Sequence, residues 1–486
     1  MLMFGRNDAA ATDDVNNAAV IFDEEKVEAQ EQFEHGPIDS LAIPDYRPGT
    51  DEEKRLVRKI DLFLLPTIFL MYFLSYLDRI NVGNAKVAGM MEDLQLDSNQ
   101  YSIVLVITIV FYVTMEIPTN MILSKTRPSI FLPTIMLLWG VTTCAMSQVT
   151  SYHQLVALRA IVGIFEAGFA PGVLLMFSSW YRRSEQSLRF GIYISAPVLA
   201  GAFGGLIAGA ITGNLEGAHG IEGWRWLFIV EGAATCGWSL VSYFTLLDFP
   251  AQSRYMTTRE RDLALARLQY EALSNMDDDT PTISHFQALK IALTSWRTLL
   301  FTFGYAILNT TSSQSYFYPT LVKSLGYTET SKIQYMTVPI YAVAFVVNLA
   351  TSYIGDHQLH KKRGYLIAGC MGVVCITGIL ITTIYNNVAR YVFMVLMCSA
   401  VWAGTAGCLA YASSSFGYME REARGIALAC MNGMGTAATI GGSFLFPEKD
   451  SPKYIMAFSV VSATSFVGIF AFSALQILVT RYSPSR

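Results

Sequence analysis

The sequence predicts an all-α membrane protein, with twelve transmembrane helices arranged as two six-helix bundles. Three observations carry this expectation. Of 486 residues, 52% are hydrophobic and only 15% are charged, at a mean hydropathy of +0.38, whereas a soluble domain carries about 25% charged residues. Twelve apolar runs each reach the roughly 20 residues needed to cross ~30 Å of hydrocarbon. The longest hydrophilic interruption between runs, 248–297, divides them six and six.

Residues 1–60 read as an acidic cytoplasmic tail. Its stretch "IFDEEKVEAQEQFE" (21–34) has little apolar surface to bury, which predicts disorder. The first bundle, 61–247, holds runs at 62–84, 101–124, 129–148, 152–178, 187–213 and 224–247. These runs are continuous rather than alternating, so each closes its own backbone hydrogen bonds as a helix and not as a barrel strand. The first begins too late for a cleaved leader and is expected to serve as the internal insertion signal. In the fifth, "GAFGGLIAGAITG" places Gly201, Gly205, Gly209 and Gly213 on one helical face, where a neighbouring helix can pack closely and slide. No strand precedes these glycines, so they do not form a dinucleotide-binding loop.

The connector, 248–297, contains "TTRERDLALARLQYEAL" (257–273), in which Thr257 and Glu260 have capping-box spacing. A charged helix along the cytoplasmic face is expected there, broken by "SNMDDDTP" (274–281). The second bundle, 298–481, holds runs at 298–321, 332–355, 364–384, 389–412, 424–446 and 454–480, and 482–486 form a short cytoplasmic tail. Glu185, Arg189 and Gly191 before the fifth run are echoed by Glu420, Arg424 and Gly425 before the eleventh, which suggests duplicated halves.

Basic residues orient the chain. Lys54, Arg55, Arg58 and Lys59 precede the first run, and Lys125, Arg127, Arg182, Arg183, Arg189, Lys361, Lys362, Arg363, Arg421 and Arg424 fall in loops on the same side. Such loops face the cytoplasm, so both termini are expected there. A net charge of -4 argues for no nucleic-acid partner. The seven cysteines lie inside runs with no CxxC or ligand spacing and read as packing residues, so no metal or cofactor is implied. There is no HExxH or GxSxG motif, so the chain is not read as an enzyme.

Charges at membrane depth cost a few kcal/mol each and usually mark function. The candidates are Asp78, Arg79, Glu116, Arg159, Glu166 and Glu231, all in the first half; the second half offers Asn309, Gln314, Asn348, Ser413 and Asn432. Arg159 and Glu166 are seven residues apart in "ALRAIVGIFEAGFAPG" (157–172), on one face and ~10 Å apart. Two acids and two bases can pair while the site is empty. A carboxylate substrate then takes an arginine, whose guanidinium fork suits that anion. The acid so released takes up a proton, so Asp78 is the expected proton site and Arg79 the substrate or gating charge, with Glu166 and Arg159 as the second acid and base of the exchange. The alternative for such pairs is to pin two helices in register; Glu231 reads as structural, and Glu116 is open between the two. The aromatic residues Tyr72, Tyr76, Tyr305, Tyr316 and Tyr318 could line a cavity or serve in packing.

The segments "YLDRINVGNAKVAG" (76–89), "RAIVGIFEAGFAPG" (159–172), "SSWYRRSE" (178–185) and "GWRWLFIVEG" (223–232) resemble the anion:cation symporter branch of the major facilitator superfamily, and within it the fungal allantoate-permease group. The resemblance covers 61–480. It implies a two-bundle transporter working by alternating access, with Asp78, Arg79, Arg159 and Glu166 at the positions that handle proton and carboxylate. Tyr76 and Asn432 match substrate-contacting positions. In "GDHQLHKKRG" (355–364) Asp356 and the basic cluster ending in Arg363 match a gating motif, whereas the first-half copy, "NMILSKTRPS" (120–129), lacks the aspartate. "SAPVLAGAFGG" (195–205) lacks the glycine before Pro197 that is typical of drug antiporters. The expected activity is proton-coupled symport of a small organic anion by a monomer in the lipid bilayer of a fungal-type plasma membrane. Export of an acidic secondary metabolite is the alternative.

Overall fold

The computed structural model describes residues 46–482 apart from 125, 275–284, 358, 360–361, 417–418 and 420. Most of the expected tail and the "SNMDDDTP" break therefore lie outside the described residues. Helix α1 (Asp51–Ala85) starts eleven residues before the expected run, at Thr50, whose hydroxyl accepts from the Glu53 N–H at 3.3 Å. Asp51, Glu52 and Glu53 fill its first turn, where acids complement the helix dipole. At 35 residues it is about 50 Å long, more than a bilayer needs. At its far end it loosens into a π-helical turn, Lys86–Met90, containing Gly89 at φ +104°.

The other expected runs follow as α2 (Ser98–Ser124), α3 (Pro128–Ala145), α4 (Tyr152–Glu166) with α5 (Phe169–Trp180), α6 (Arg183–Asn214) and α7 (Gly223–Thr245). The connector supplies α8 (Thr258–Ser274) and α9 (His285–Thr294). The second half comprises α10 (Trp296–Ser312) with α11 (Tyr318–Lys323), α12 (Thr330–Tyr335) with α13 (Val338–His357), α14 (Arg363–Thr383), α15 (Asn387–Ser415), α16 (Arg421–Gly442) and α17 (Ile455–Arg481). Among the described residues, ten helices are long and apolar enough to cross a membrane, or eleven if the pair bent by 60° at Ser295 counts as one. Helix α16, where the eleventh run was expected, is diluted by glycines, threonines and Asn432 and is not among them.

Within the first half α3 packs on α7, α1 on α6 and α7, and α2 on α4; within the second, α14 packs on α15 and α17, and α10 on α16. The two halves meet through α6 against α12 and α13, α2 against α16, and α1 against 313–317 and α11. The named polar contacts across this boundary cluster at the end away from the termini: Ser102 Oγ to Ser443 O at 2.9 Å, Gln334 Nε2 to Asn84 O at 3.1 Å, and Glu448 N–H to Ser98 Oγ at 3.2 Å. The four-residue glycine ladder is part of that closure. Added Cβ atoms would meet the Tyr341 ring at Gly201, the Thr337 hydroxyl at Gly205, the Tyr335 ring at Gly209 and Ser331 Cβ (3.4 Å) at Gly213. Bare backbones there let α6 approach the second half closely.

At the terminal end the contacts run between the first half and the connector. The expected capping box forms: Glu260 N–H donates to Thr257 Oγ1 at 3.3 Å, and Thr257 N–H donates to Glu260 Oε2 at 2.8 Å. Lys59 Nζ bridges to Glu260 at 2.8 Å. Arg267, 1% exposed, donates to Glu53 at 2.8 Å and to Glu185 at 2.6 Å, while Arg182 joins the same Glu53 oxygen at 2.9 Å. Helix α8 is thus fastened to the first half, whereas α9 packs on α16 of the second.

Candidate functional site

Where the two halves meet below their closed end, a small cavity of about 20 Å³ lies between them. Its walls are Arg79 from α1, Leu105, Thr108, Ile109 and Tyr112 from α2, and Arg159 and Glu166 from α4. Tyr316 and Thr436 complete it from the second half. The charged residues of the lining thus come from the first half, and the second half contributes the neutral Tyr316 and Thr436, neither of them among the asparagines, glutamine and serine named above for that half.

Close packing of α2 on α4 sets the charged wall. Gly163 leaves no room for a Cβ against the carbonyl of Thr108, and Thr108 Oγ1 donates to the Arg159 carbonyl at 3.1 Å. Glu166 ends α4, where the chain breaks at Ala167 and Gly168 before α5. Its Oε1 accepts from Arg79 Nε at 2.9 Å and from the Ser75 hydroxyl. Its Oε2 is buried with no partner among the described residues. Arg79 also lies over the Tyr112 ring, 4.8 Å from the centroid, a cation–π contact that holds the guanidinium level.

Arg159 is the exception in this group. It is 3% exposed, and its guanidinium has no hydrogen-bond partner among the described residues. A buried guanidinium carries five donors in a fixed fork and is costly to leave unpaired. Chemically, the Arg159 donors beside the Arg79–Glu166 ion pair are groups that suit an anion.

The remaining expected residues are distributed differently. Asp78 is not part of the cavity lining; adjacent helical residues point about 100° apart, and Asp78 lies buried inside the first half with neither oxygen hydrogen-bonded among the described residues. The Glu231 carboxylate of that interior likewise has no hydrogen-bond partner among the described residues. Tyr76 packs edge-on against Trp402 of the second half at 5.7 Å and is not in the cavity lining. Asn432 is part-buried on α16, four residues before Thr436, and is not in the lining. The side chain of Asp356 lies outside those described, and its backbone is in the last turn of α13. Arg363 begins α14 and donates to Ala410 O at 3.3 Å and Ser414 Oγ at 3.4 Å, both on α15 of its own half. Sequence reasoning named Tyr316 but missed Ser75, Thr108 and Tyr112. The one signal for them was spacing: Ser75 lies four residues before Arg79, and Thr108 four before Tyr112, on the faces that turn toward the cavity.

The profile of the Major Facilitator Superfamily matches residues 68–443. Among similar proteins, the MFS transporter prlL of Fungal sp. (strain NRRL 50135) is 31% identical over 444 residues, 87% of each chain. The MFS-type transporter cnsO of Penicillium expansum is 32% identical over 459 residues, 92% of this chain and 86% of its own. The high-affinity nicotinic acid transporter of Saccharomyces cerevisiae is 28% identical over 438 residues, 89% of this chain and 78% of its own. A solved bacterial homolog of the human lysosomal transporter Spinster, inward-facing and unoccupied, superposes with TM-score 0.67 at 15% identity, covering 90% of this chain and 100% of that one. The chain belongs to the Major Facilitator Superfamily and is a multi-pass integral membrane protein.

Proposed function

We propose that this member of the Major Facilitator Superfamily is a secondary transporter of a small organic carboxylate, moved with protons by alternating access. The observation that carries the reading is Arg159: a buried guanidinium with no hydrogen-bond partner among the described residues, in the same cavity lining as the Arg79–Glu166 pair. A carboxylate that binds there occupies the Arg159 fork and competes with Glu166 for Arg79. The displaced Glu166, 2% exposed, gains a proton in place of its cation, and substrate and proton are coupled by that competition. The name of the yeast relative, a nicotinic acid transporter, agrees with a carboxylate cargo. The positive loops support cytoplasmic termini, in which case the closed end faces outward and the conformation is inward-facing. Residence in the plasma membrane as a monomer belongs to the same proposal.

The test is uptake of labelled carboxylates, nicotinate among them, into cells expressing the protein at external pH 5 and 7.5, with Arg159→Ala alongside. Accumulation that is stronger at pH 5 and lost in the variant supports anion–proton symport. Absence of uptake, with the protein shown at the surface, favours export of an acidic metabolite. Uptake unaffected by Arg159→Ala places the anion site elsewhere.

A further inference from the structure

Lys86 is a buried cation that is not in the cavity lining. It lies two helical turns beyond Arg79, first in the π-helical turn that follows α1, and is 5% exposed. Its ammonium lies over the rings of Tyr101 and Phe317, 4.5 and 5.8 Å from their centroids. Its counter-ion is Glu448 of the second half, at 3.4 Å, whose side chain is 53% exposed. That contact does not satisfy hydrogen-bond geometry, so Lys86 Nζ has no hydrogen-bond partner among the described residues. An ammonium with three donors, removed from water and facing one poorly aligned, half-exposed carboxylate, is an expensive arrangement.

Its position just beyond α1 supplies the second half of the argument. Gly83 lies between Arg79 and Lys86, and the space a Cβ would need is filled by the carbonyl of Tyr316, a residue that also lines the cavity. The seal between the halves thus separates the two cations. Arg79 lies on the cavity side and Lys86 on the far side, at the start of the π-helical turn, a distortion often found at functional positions. Two of the three groups that hold Lys86, Phe317 and Glu448, belong to the second half, and Tyr101 belongs to the first. When the halves part at this end, Phe317 and Glu448 leave together, and Lys86 keeps only the Tyr101 ring. Arg79 and Lys86 then lie on one continuous face of α1 and its π-helical turn, about 10 Å apart.

We propose that Lys86 is a second anion-binding point on the transport path, covered by Glu448 while the far end is closed and freed to meet a carboxylate when it opens. The charge of the cargo rests on the reading of the cavity given above; the switch between an internal carboxylate and an incoming one rests on Lys86 itself. In the closed state Glu448 stands in for the substrate carboxylate.

The test uses purified full-length protein in detergent, so that reagents reach both ends. A cysteine is placed at exposed Asn99, in the first turn of α2 beside Ser98, whose hydroxyl accepts from Glu448. Its labelling by an anionic sulfonatoethyl and a cationic trimethylammonium-ethyl methanethiosulfonate is compared, with reaction at the seven native cysteines subtracted. Lys86→Gln should lower the ratio of anionic to cationic rates about tenfold, the effect of one nearby unit charge on two opposite probes. Glu448→Gln should raise the ratio, and Lys86→Arg, which keeps the cation if Lys86→Gln fails to fold, should leave it near the starting value. Equal effects of Lys86→Gln and Glu448→Gln would mean a latch without an anion site and overturn the proposal, as would no effect of either. These readouts need no transported substrate, so a failed carboxylate uptake assay overturns the cavity reading and leaves this one standing.

Discussion

The glycine ladder of α6 gives a graded test of which contacts hold the far end closed. At Gly205 an added Cβ meets the Thr337 hydroxyl and, at 2.9 Å, the backbone carbonyl of Gln334, which cannot rotate away. At Gly213 the nearest atom is Ser331 Cβ at 3.4 Å, an ordinary contact. Both substitutions gain the same helix propensity, up to ~1 kcal/mol, in either conformation, so that term cancels from the conformational equilibrium. What remains is overpacking of the closed state alone, about 1–3 kcal/mol at Gly205 and near zero at Gly213. Such an energy moves a two-state equilibrium by roughly 5- to 150-fold toward the state with the far end open. Spin labels at exposed Asn214 and Thr328, on opposite halves at that end, report the shift by pulsed distance measurement. Gly205→Ala should broaden or lengthen the distance distribution, and Gly213→Ala should leave it unchanged. Equal distributions for the two variants would refute the idea that the glycine face carries the closure.

Three further outcomes are expected. Glu166→Gln removes the acid that competes for Arg79, a charged hydrogen bond of about 1.5–3 kcal/mol; carboxylate exchange should half-saturate at a concentration tenfold lower or less, while uphill accumulation at external pH 5 disappears. Arg267→Ala leaves Glu53 and Glu185 without their buried cation, and the loss of one partner of such a network costs about 3–5 kcal/mol; the melting temperature should fall, and α8 should become sensitive to protease, whereas Arg259→Ala, at an exposed pair with Glu52, should do neither. Partial burial pushes the Glu260 carboxyl up, but hydrogen bonds from Lys59 and from the Thr257 N–H outweigh this and hold it below the usual glutamate range. The attachment of α8 should therefore be intact above the ordinary carboxylate value and weaken as pH falls through the lowered one; the pair is solvent-screened, so the effect is small, and Glu260→Gln should abolish it.

Much of this molecule was readable from the chain because lipid forces simple rules on it. Continuous apolar runs place the helices to within a few residues, as for α3 against 129–148, and Thr257 with Glu260 announces the cap of α8 by spacing alone. Helix α1 extends below its apolar run because its first turns are held by polar contacts to the connector, such as Lys59 with Glu260, 201 residues away. Hydropathy carries no trace of such contacts. The same limit applies inside the site. Arg159 and Glu166 stand out as charges in an apolar helix, but their settings, one with no hydrogen-bond partner among the described residues and one held by Ser75 and Arg79, depend on how α1, α2 and α4 pack. Asp78 and Arg79 are neighbours in sequence and part company in space, because a helix turns about 100° between them.

The connector also limits how far the molecule can move. Helix α8 is anchored to the first half by Arg267 and Lys59, and α9 rests on α16 of the second. Between Ser274 and His285 the chain has ten residues, so these anchors can separate by no more than roughly 35–40 Å. The segment is a leash of fixed length, and deleting residues from it would shorten the travel of the two halves at the terminal end without touching any residue that binds cargo.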